Sequence, residues 1–185
     1  MPSARHQPPL AKSMSSILVT PLSAIEDVIR SHRPSHMVTL LSPEHMIETP
    51  RGFPRDRHLR LGINDVVDIS AGENPPLKCH VEQLLAFSRD WPAEAPILVH
   101  CWAGISRSMA ATYIILCDRL GRGSELYAAK AIRSRARHAY PNALLVQYAD
   151  DLLGRQGRMI DAIRGIGAGG ITAEGEVVEF PLVGL

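Results

Sequence analysis

A chain of 185 residues, 45% of them hydrophobic and 21% charged, is long enough to bury a core and has the composition of one ordinary globular domain. Its net charge of +1 offers no general attraction to nucleic acid or anionic membranes, and the longest apolar run, around Tyr113–Cys117, is far short of the ~20 residues of a membrane-spanning helix. Three cysteines without framework spacing argue against a disulfide scaffold and fit a reducing compartment; with no signal-peptide pattern at the N-terminus, a cytoplasmic location is expected.

Residues 1–13 are polar with several prolines and read as a disordered N-terminal segment. Ser16–Val19 reads as a first strand, followed by a helix from Pro21 to about Ser31 with Leu22, Ile25, Val28 and Ile29 on one face. His36–Leu41 is a second strand. A long loop from Ser42 to Arg57 carries Arg51, Arg55 and Arg57, which read first as solvated charges. His58–Ile63 is a third strand, and Leu77–Phe87 repeats apolar residues at helical spacing. Pro96–Val99 is apolar throughout, as a central strand is.

A helix then runs through Met109–Leu116, and Gly121-Arg122-Gly123 breaks the chain before Ser124, a good N-cap for a helix to about Ala136. Pro141, at a first helical position, begins another with Leu145, Tyr148 and Leu152 facing inward. Beyond Ile160 glycines accumulate, and Val177–Phe180 reads as either a short strand or a mobile end. The expected organisation is a domain over 14–160 and a Gly-rich C-terminal tail over 161–185. Strands alternating with helices predict an α/β fold: a central, mostly parallel sheet of four to five strands with helices on both faces.

The most informative stretch is His100-Cys101-Trp102-Ala103-Gly104-Ile105-Ser106-Arg107-Ser108, set between the apolar strand and the apolar helix. A helix N-terminus presents unpaired N–H groups and the positive end of the helix dipole, which favours phosphate and also favours thiolate over thiol. Only Cys101 has an arginine six positions on; Leu85 stands there for Cys79 and Gly123 for Cys117. The pattern describes an anion cradle with a nucleophile at its floor.

This stretch resembles the signature loop of the cysteine-dependent protein tyrosine phosphatases, in particular their small dual-specificity-like branch. Leu61-Gly62-Ile63-Asn64-Asp65 resembles the segment that carries the family's general acid, and Tyr140-Pro141-Asn142, with Gln147 and Leu152 beyond, resembles the Pro-Asn start of its last core helix. Together these cover about residues 14 to 157. The resemblance implies a dual-specificity-phosphatase-like fold and hydrolysis of phosphotyrosine, with phosphoserine and phosphothreonine as further substrates, through a cysteinyl-phosphate.

In that chemistry Cys101 is the nucleophile, the amides of Trp102, Ala103, Gly104, Ile105, Ser106 and Arg107 hold the phosphate, and the planar fork of Arg107 clamps two of its oxygens. Ser108 serves the sulfur or merely caps the helix. His100 orders the loop or is a core histidine. The acid is Asp65 or Asp68; Asp65 matches the pattern better, while Asp68 lies deeper in its loop and has a capping role open to it. An arginine ahead of the Pro-Asn turn supports the loop in the family, which points to Arg135 or Arg137; Arg133 with these two otherwise reads as an exposed helix face.

No cofactor and no metal are expected, because arginine and amides supply the positive field. The expected partner is a phosphorylated protein or a small phosphoester, not nucleic acid or a membrane. The alternatives are a phosphatase of a non-protein phosphoester, such as a phosphoinositide or nucleotide, and a phosphate-binding module without turnover. Phosphoinositide-preferring relatives carry lysines in the loop, and this loop has none. Whether Cys79 pairs with Cys101 is open at this level.

Overall fold

The computed structural model describes residues 15–182; the expectation for 1–13 lies outside them. Five strands form one sheet in the order β3-β2-β4-β1-β5. β1 (Ser16–Pro21), β2 (His36–Leu41), β3 (His58–Gly62) and β4 (Ile97–Cys101) are parallel, and β5 (Val178–Pro181) adds to β1 in the antiparallel sense. β4 is the middle strand and every residue of it is buried, the polar His100 included.

Period-2 alternation divides the sheet between two cores. Ile17, Val19, Val38, Leu40, Ile97 and Val99 face the larger core, and Leu18, Met37 and Leu98 face the smaller. α1 (Ile25–His32) covers the smaller face with Ile25 and Val28. The other face carries α2 (Lys78–Asp90), α3 (Arg107–Leu120), α4 (Glu125–Arg135), α5 (Ala143–Leu152) and α6 (Arg158–Gly165). Helices therefore lie on both faces, unequally. α3 is buried from Arg107 to Cys117, because α2, α4 and α5 pack around it.

Several boundaries differ from the sequence expectation for local reasons. β4 continues through His100 and Cys101, which pair with Thr20 and Pro21, so the cysteine ends a strand instead of standing in a loop. Ser124 occupies the N-cap of α4, but its hydroxyl bonds Gly121 O instead of capping. Pro141 lies outside α5; Asn142 is the N-cap, accepting from Leu145 N at 3.1 Å. α6 has no counterpart in the reading of the sequence. Its first turn is capped from α5 by the buried Asp150 carboxylate, which accepts from Gly157 N at 2.6 Å and Met159 N at 2.8 Å.

The Gly-rich stretch beyond α6 leads back to the sheet, where Phe180 is fully buried and Leu182 N donates to Ser15 O at 2.8 Å. Phe180→Ala is expected to cost about 3–5 kcal/mol of unfolding free energy by urea titration, as deletion of a buried phenyl ring does. A loss below about 1 kcal/mol, within the range of a surface substitution, would mean that β5 is not docked in solution.

Candidate active site

The carboxyl ends of parallel strands are where ligands bind in open α/β sheets, and there β4 delivers Cys101. The thiol is 2% exposed and its Sγ lies 3.2 Å from the Ser108 hydroxyl. Between them residues 102–106 turn tightly into α3. Gly104 has φ +71°, and a Cβ there would stand 2.9 Å from Pro21 N, so both conformation and space require glycine.

The carbonyls of this loop are bonded from outside. Trp102 O accepts from Leu22 N at 3.0 Å, Ala103 O from Gly175 N at 2.8 Å, Ile105 O from Tyr140 N at 3.0 Å, and Ser106 O from Ala110 N at 2.9 Å and Asn142 N at 3.3 Å. The Gly104 carbonyl interacts with His138. In a trans peptide the C=O and the following N–H point in opposite directions. Carbonyls held outward therefore turn the amides of the next residues toward the centre. Among the described residues, no N–H from Ala103 to Arg107 has a protein acceptor.

Arg107 begins α3 with a side chain that is buried and committed at one end only. Its Nη1 donates to Ile63 O, at the end of β3, at 2.8 Å, while its Nε is buried without a hydrogen-bond partner. An unpaired buried donor costs about 1–3 kcal/mol, a penalty that an anion in the cradle removes. Asp65 Oδ2 lies 3.7 Å from that Nε, too far for a hydrogen bond.

Asp65 is held over the loop by its other oxygen. Oδ1 accepts from Ser106 Oγ at 2.7 Å and from Asn142 Nδ2 at 2.9 Å. Asn142 also donates to Val66 O at 3.1 Å, so one residue ties the Asp65 segment, the cradle and α5 together. Asp68 is placed differently. It caps its own turn, accepting from Ser70 N at 2.9 Å and Ser70 Oγ at 2.8 Å, and these bonds hold its carboxyl below the usual range.

His100 is fully buried, and its Nε2 lies 2.6 Å from Thr39 Oγ1. The same hydroxyl is 2.7 Å from His58 Nε2, and His58 Nδ1 is 2.9 Å from Thr49 Oγ1. A hydroxyl carries one proton, so Thr39 donates to one ring and accepts from the other, and the two imidazoles have opposite protonation at Nε2. Desolvation pushes His100 down to about 3 and His58 down to about 4, which leaves both neutral at pH 7.

Several of these residues escaped the reading of the sequence. Thr39 and His58 left a signal, polar side chains on apolar strands; Gly175 left none. Arg133, not Arg135 or Arg137, braces the turn before Tyr140, donating to Arg137 O at 2.6 Å, Ala139 O at 3.0 Å and Gly167 O at 2.8 Å. Arg135 reaches Glu179 O at 3.4 Å. Arg51, Arg55 and Arg57 are exposed. Cys79 is exposed and all three thiols are free. Among the described residues no three His, Cys, Asp or Glu side chains are grouped so as to hold a metal ion.

The rim is apolar and acidic. Trp102 and Tyr140 are more than half exposed, as is Val67, which lines a cavity with Asp65, Ser106 and Tyr140. His45 meets the Trp102 ring edge-on at 5.1 Å between centroids. The Glu44 carboxyl is held below its usual range by its own backbone amide, against desolvation, with help from Ser42, His45 and Arg107.

No family model matches this chain, and no curated protein matches its sequence. Solved structures do resemble it. The human tyrosine phosphatase-like serine/threonine/tyrosine-interacting protein superposes with TM-score 0.60 at 19% identity, over 75% of this chain and 91% of that one. Human DUSP28 gives 0.56 at 21%, over 76% and 95%, and PTPMT1 in complex with PI(5)P gives 0.54 at 17%, over 75% and 93%. The chain has the dual-specificity-like protein tyrosine phosphatase fold; at these identities the likeness is one of fold.

The buried histidines make stability depend on pH. An unfolded imidazole takes a proton near pH 6.5, whereas folded His58 takes one only near 4. Between these values the unfolded chain binds more protons, so stability falls as pH is lowered from about 6.5 to 4. Thermal melts across that window should show a falling midpoint, with a shallower slope in His58→Phe. Equal slopes in the two proteins would refute this account.

Proposed function

We propose that this protein is a cysteine-dependent phosphatase that hydrolyses phosphotyrosine in proteins, with phosphoserine and phosphothreonine as further substrates. One observation carries the reading: Cys101, its Sγ 3.2 Å from Ser108 Oγ, precedes a loop whose carbonyls are tied outward, and Arg107 at the loop's other end has a buried Nε without a hydrogen-bond partner. Phosphoryl transfer is dominated by positioning and charge stabilisation, and inward amides with a guanidinium supply both. They provide the positive field a metal provides elsewhere, so the proposed reaction needs none.

The Cys101 thiolate attacks phosphorus in line, the bond to the tyrosyl oxygen breaks, and Asp65 delivers a proton to that oxygen. Its Oδ1 is engaged by Ser106 and Asn142, which leaves Oδ2 to carry the proton. Water then attacks the cysteinyl-phosphate and gives a proton back to Asp65. The S–P bond breaks, and Ser108 Oγ donates a hydrogen bond to the departing sulfur. His100, buried and neutral, acts from behind Cys101 as an ordering residue.

A second reading has a specific observation in its favour, the resemblance to PTPMT1 in complex with PI(5)P. Against it stand a loop without lysine and a rim that carries Glu44 beside apolar groups, a poor match for a polyphosphorylated headgroup. An aryl phosphate suits exposed Trp102 and Tyr140 better.

Hydrolysis of p-nitrophenyl phosphate should proceed in the presence of a chelator and vanish in Cys101→Ser; turnover that survives the substitution would sink the proposal. A phosphotyrosine peptide should be turned over faster than PI(5)P, and the reverse order would select the second reading. On that peptide Asp65→Asn should lower kcat about a hundredfold, the size of a general-acid contribution, with Asp68→Asn close to wild type. The opposite pattern would assign the proton to Asp68.

A further inference from the structure

After α6 the chain crosses behind the cradle before entering β5, and it is fastened along the way. Arg133 donates to Gly167 O at 2.8 Å, and Gly170 N donates to Arg137 O at 2.9 Å. The Glu174 carboxylate accepts from Ser23 Oγ at 2.6 Å, and Thr172 Oγ1 donates to Glu174 O at 2.8 Å. Gly175 N then reaches Ala103 O at 2.8 Å.

Two glycines mark where this segment touches the body of the protein. A Cβ on Gly169 would stand 2.5 Å from Ala139 O, and one on Gly175 would stand 2.6 Å from His138 Nε2 and 3.1 Å from Gly104 O. Neither glycine has positive φ, so the constraint is one of space: backbone carbonyls exclude a Cβ at Gly169, while at Gly175 the His138 ring and the Gly104 carbonyl would have to give way. Both contacts lie on the back of the site: Ala139 precedes Tyr140, which bonds Ile105 O, and Gly104 is at the apex of the cradle.

We infer that residues 167–176 form a positioning strap for the phosphate loop, with Gly175 as its contact point. Its N–H holds the Ala103 carbonyl outward, and because that carbonyl shares a peptide plane with the Gly104 N–H, the amide is aimed at the anion. The Glu174–Ser23 bond fastens the strap to the turn after β1. That turn also supplies Leu22 N–H to Trp102 O, so one corner of the fold orients two successive peptide planes. The segment that sequence reads as a Gly-rich tail thereby acts on the site. Gly175 touches no reacting atom; its effect runs through Ala103.

The inference rests on the proposed phosphate-binding role of the loop, and oxyanion binding tests it apart from turnover. Tungstate affinity by titration calorimetry should weaken about ten- to a hundredfold in Gly175→Ala, the scale expected when a positioned group moves by a fraction of an ångström. Turnover of p-nitrophenyl phosphate should fall in parallel. Leu84→Ala, in the core beneath α2 and outside both strap and β5, should lose stability and keep wild-type tungstate affinity.

Should Gly175→Ala fail to fold, Glu174→Ala, an exposed position, loosens the strap instead and should weaken tungstate about threefold, as a small misplacement does. Wild-type affinity in the folded strap variants, or an equal loss in Leu84→Ala, overturns the strap. A wild-type protein that binds tungstate with the expected variant pattern but turns nothing over leaves the strap standing and refutes the phosphatase. Absence of tungstate binding by the wild type overturns both.

Discussion

The candidate site depends on the orientation of a few peptide planes. Amides converging on one point repel each other as dipoles, and a free loop would relax by turning some of them over. Here the outward bonds to Trp102, Ala103, Ile105 and Ser106 carbonyls prevent that. Each contributes only about 0.5–1.5 kcal/mol net, but flipping a plane would break its bond and leave the donor outside the loop without its acceptor. The preorganisation of the cradle is a property of its surroundings more than of its own sequence.

Those surroundings come from distant parts of the chain. The turn after β1, the Tyr140-Pro141-Asn142 corner, the first turn of α3 and the segment before β5 each supply a donor. The sheet brings them together because β4 lies between β2 and β1, so the end of β4 is flanked on both sides. Close approach is then decisive: Gly104 lies against the backbone of Thr20 and Pro21. Next to Cys101 in β4, His100 meets Thr39 as a neutral group, leaving Arg107 as the positive charge of the loop.

How much of this was legible depends on whether the cause is local. β2 was read at its observed bounds, and the helices on both faces followed from apolar spacing. The signature stretch was legible because strand, glycine turn and helix N-terminus are contiguous. Pattern favours Asp65 over Asp68; in the fold Asn142 and Ser106 hold Asp65 at the loop, while Asp68 closes on its own turn. α6 was missed because its cap, Asp150, belongs to the preceding helix. Arg133 was passed over for its neighbours because only the folded turn shows which arginine reaches Ala139 O. Gly175 is the extreme case: its tight surroundings are the His138 ring and the Gly104 carbonyl, both remote in sequence.

Reaction and substrate are encoded in different layers of this site. In the proposed reaction the cradle, Cys101 and Arg107 would recognise a phosphoryl group whatever bears it, since the contacts they offer are to phosphate oxygens. Discrimination would then come from the rim, where Trp102, Tyr140 and Val67 are exposed and Glu44 contributes negative charge. Such a rim rewards an apolar or aromatic leaving group and penalises additional phosphates by repulsion and by lost solvation. The proposed preference for phosphotyrosine therefore rests on the residues around the cradle. A change of substrate class would require replacing rim side chains such as Glu44 with cations while the loop itself stayed as it is.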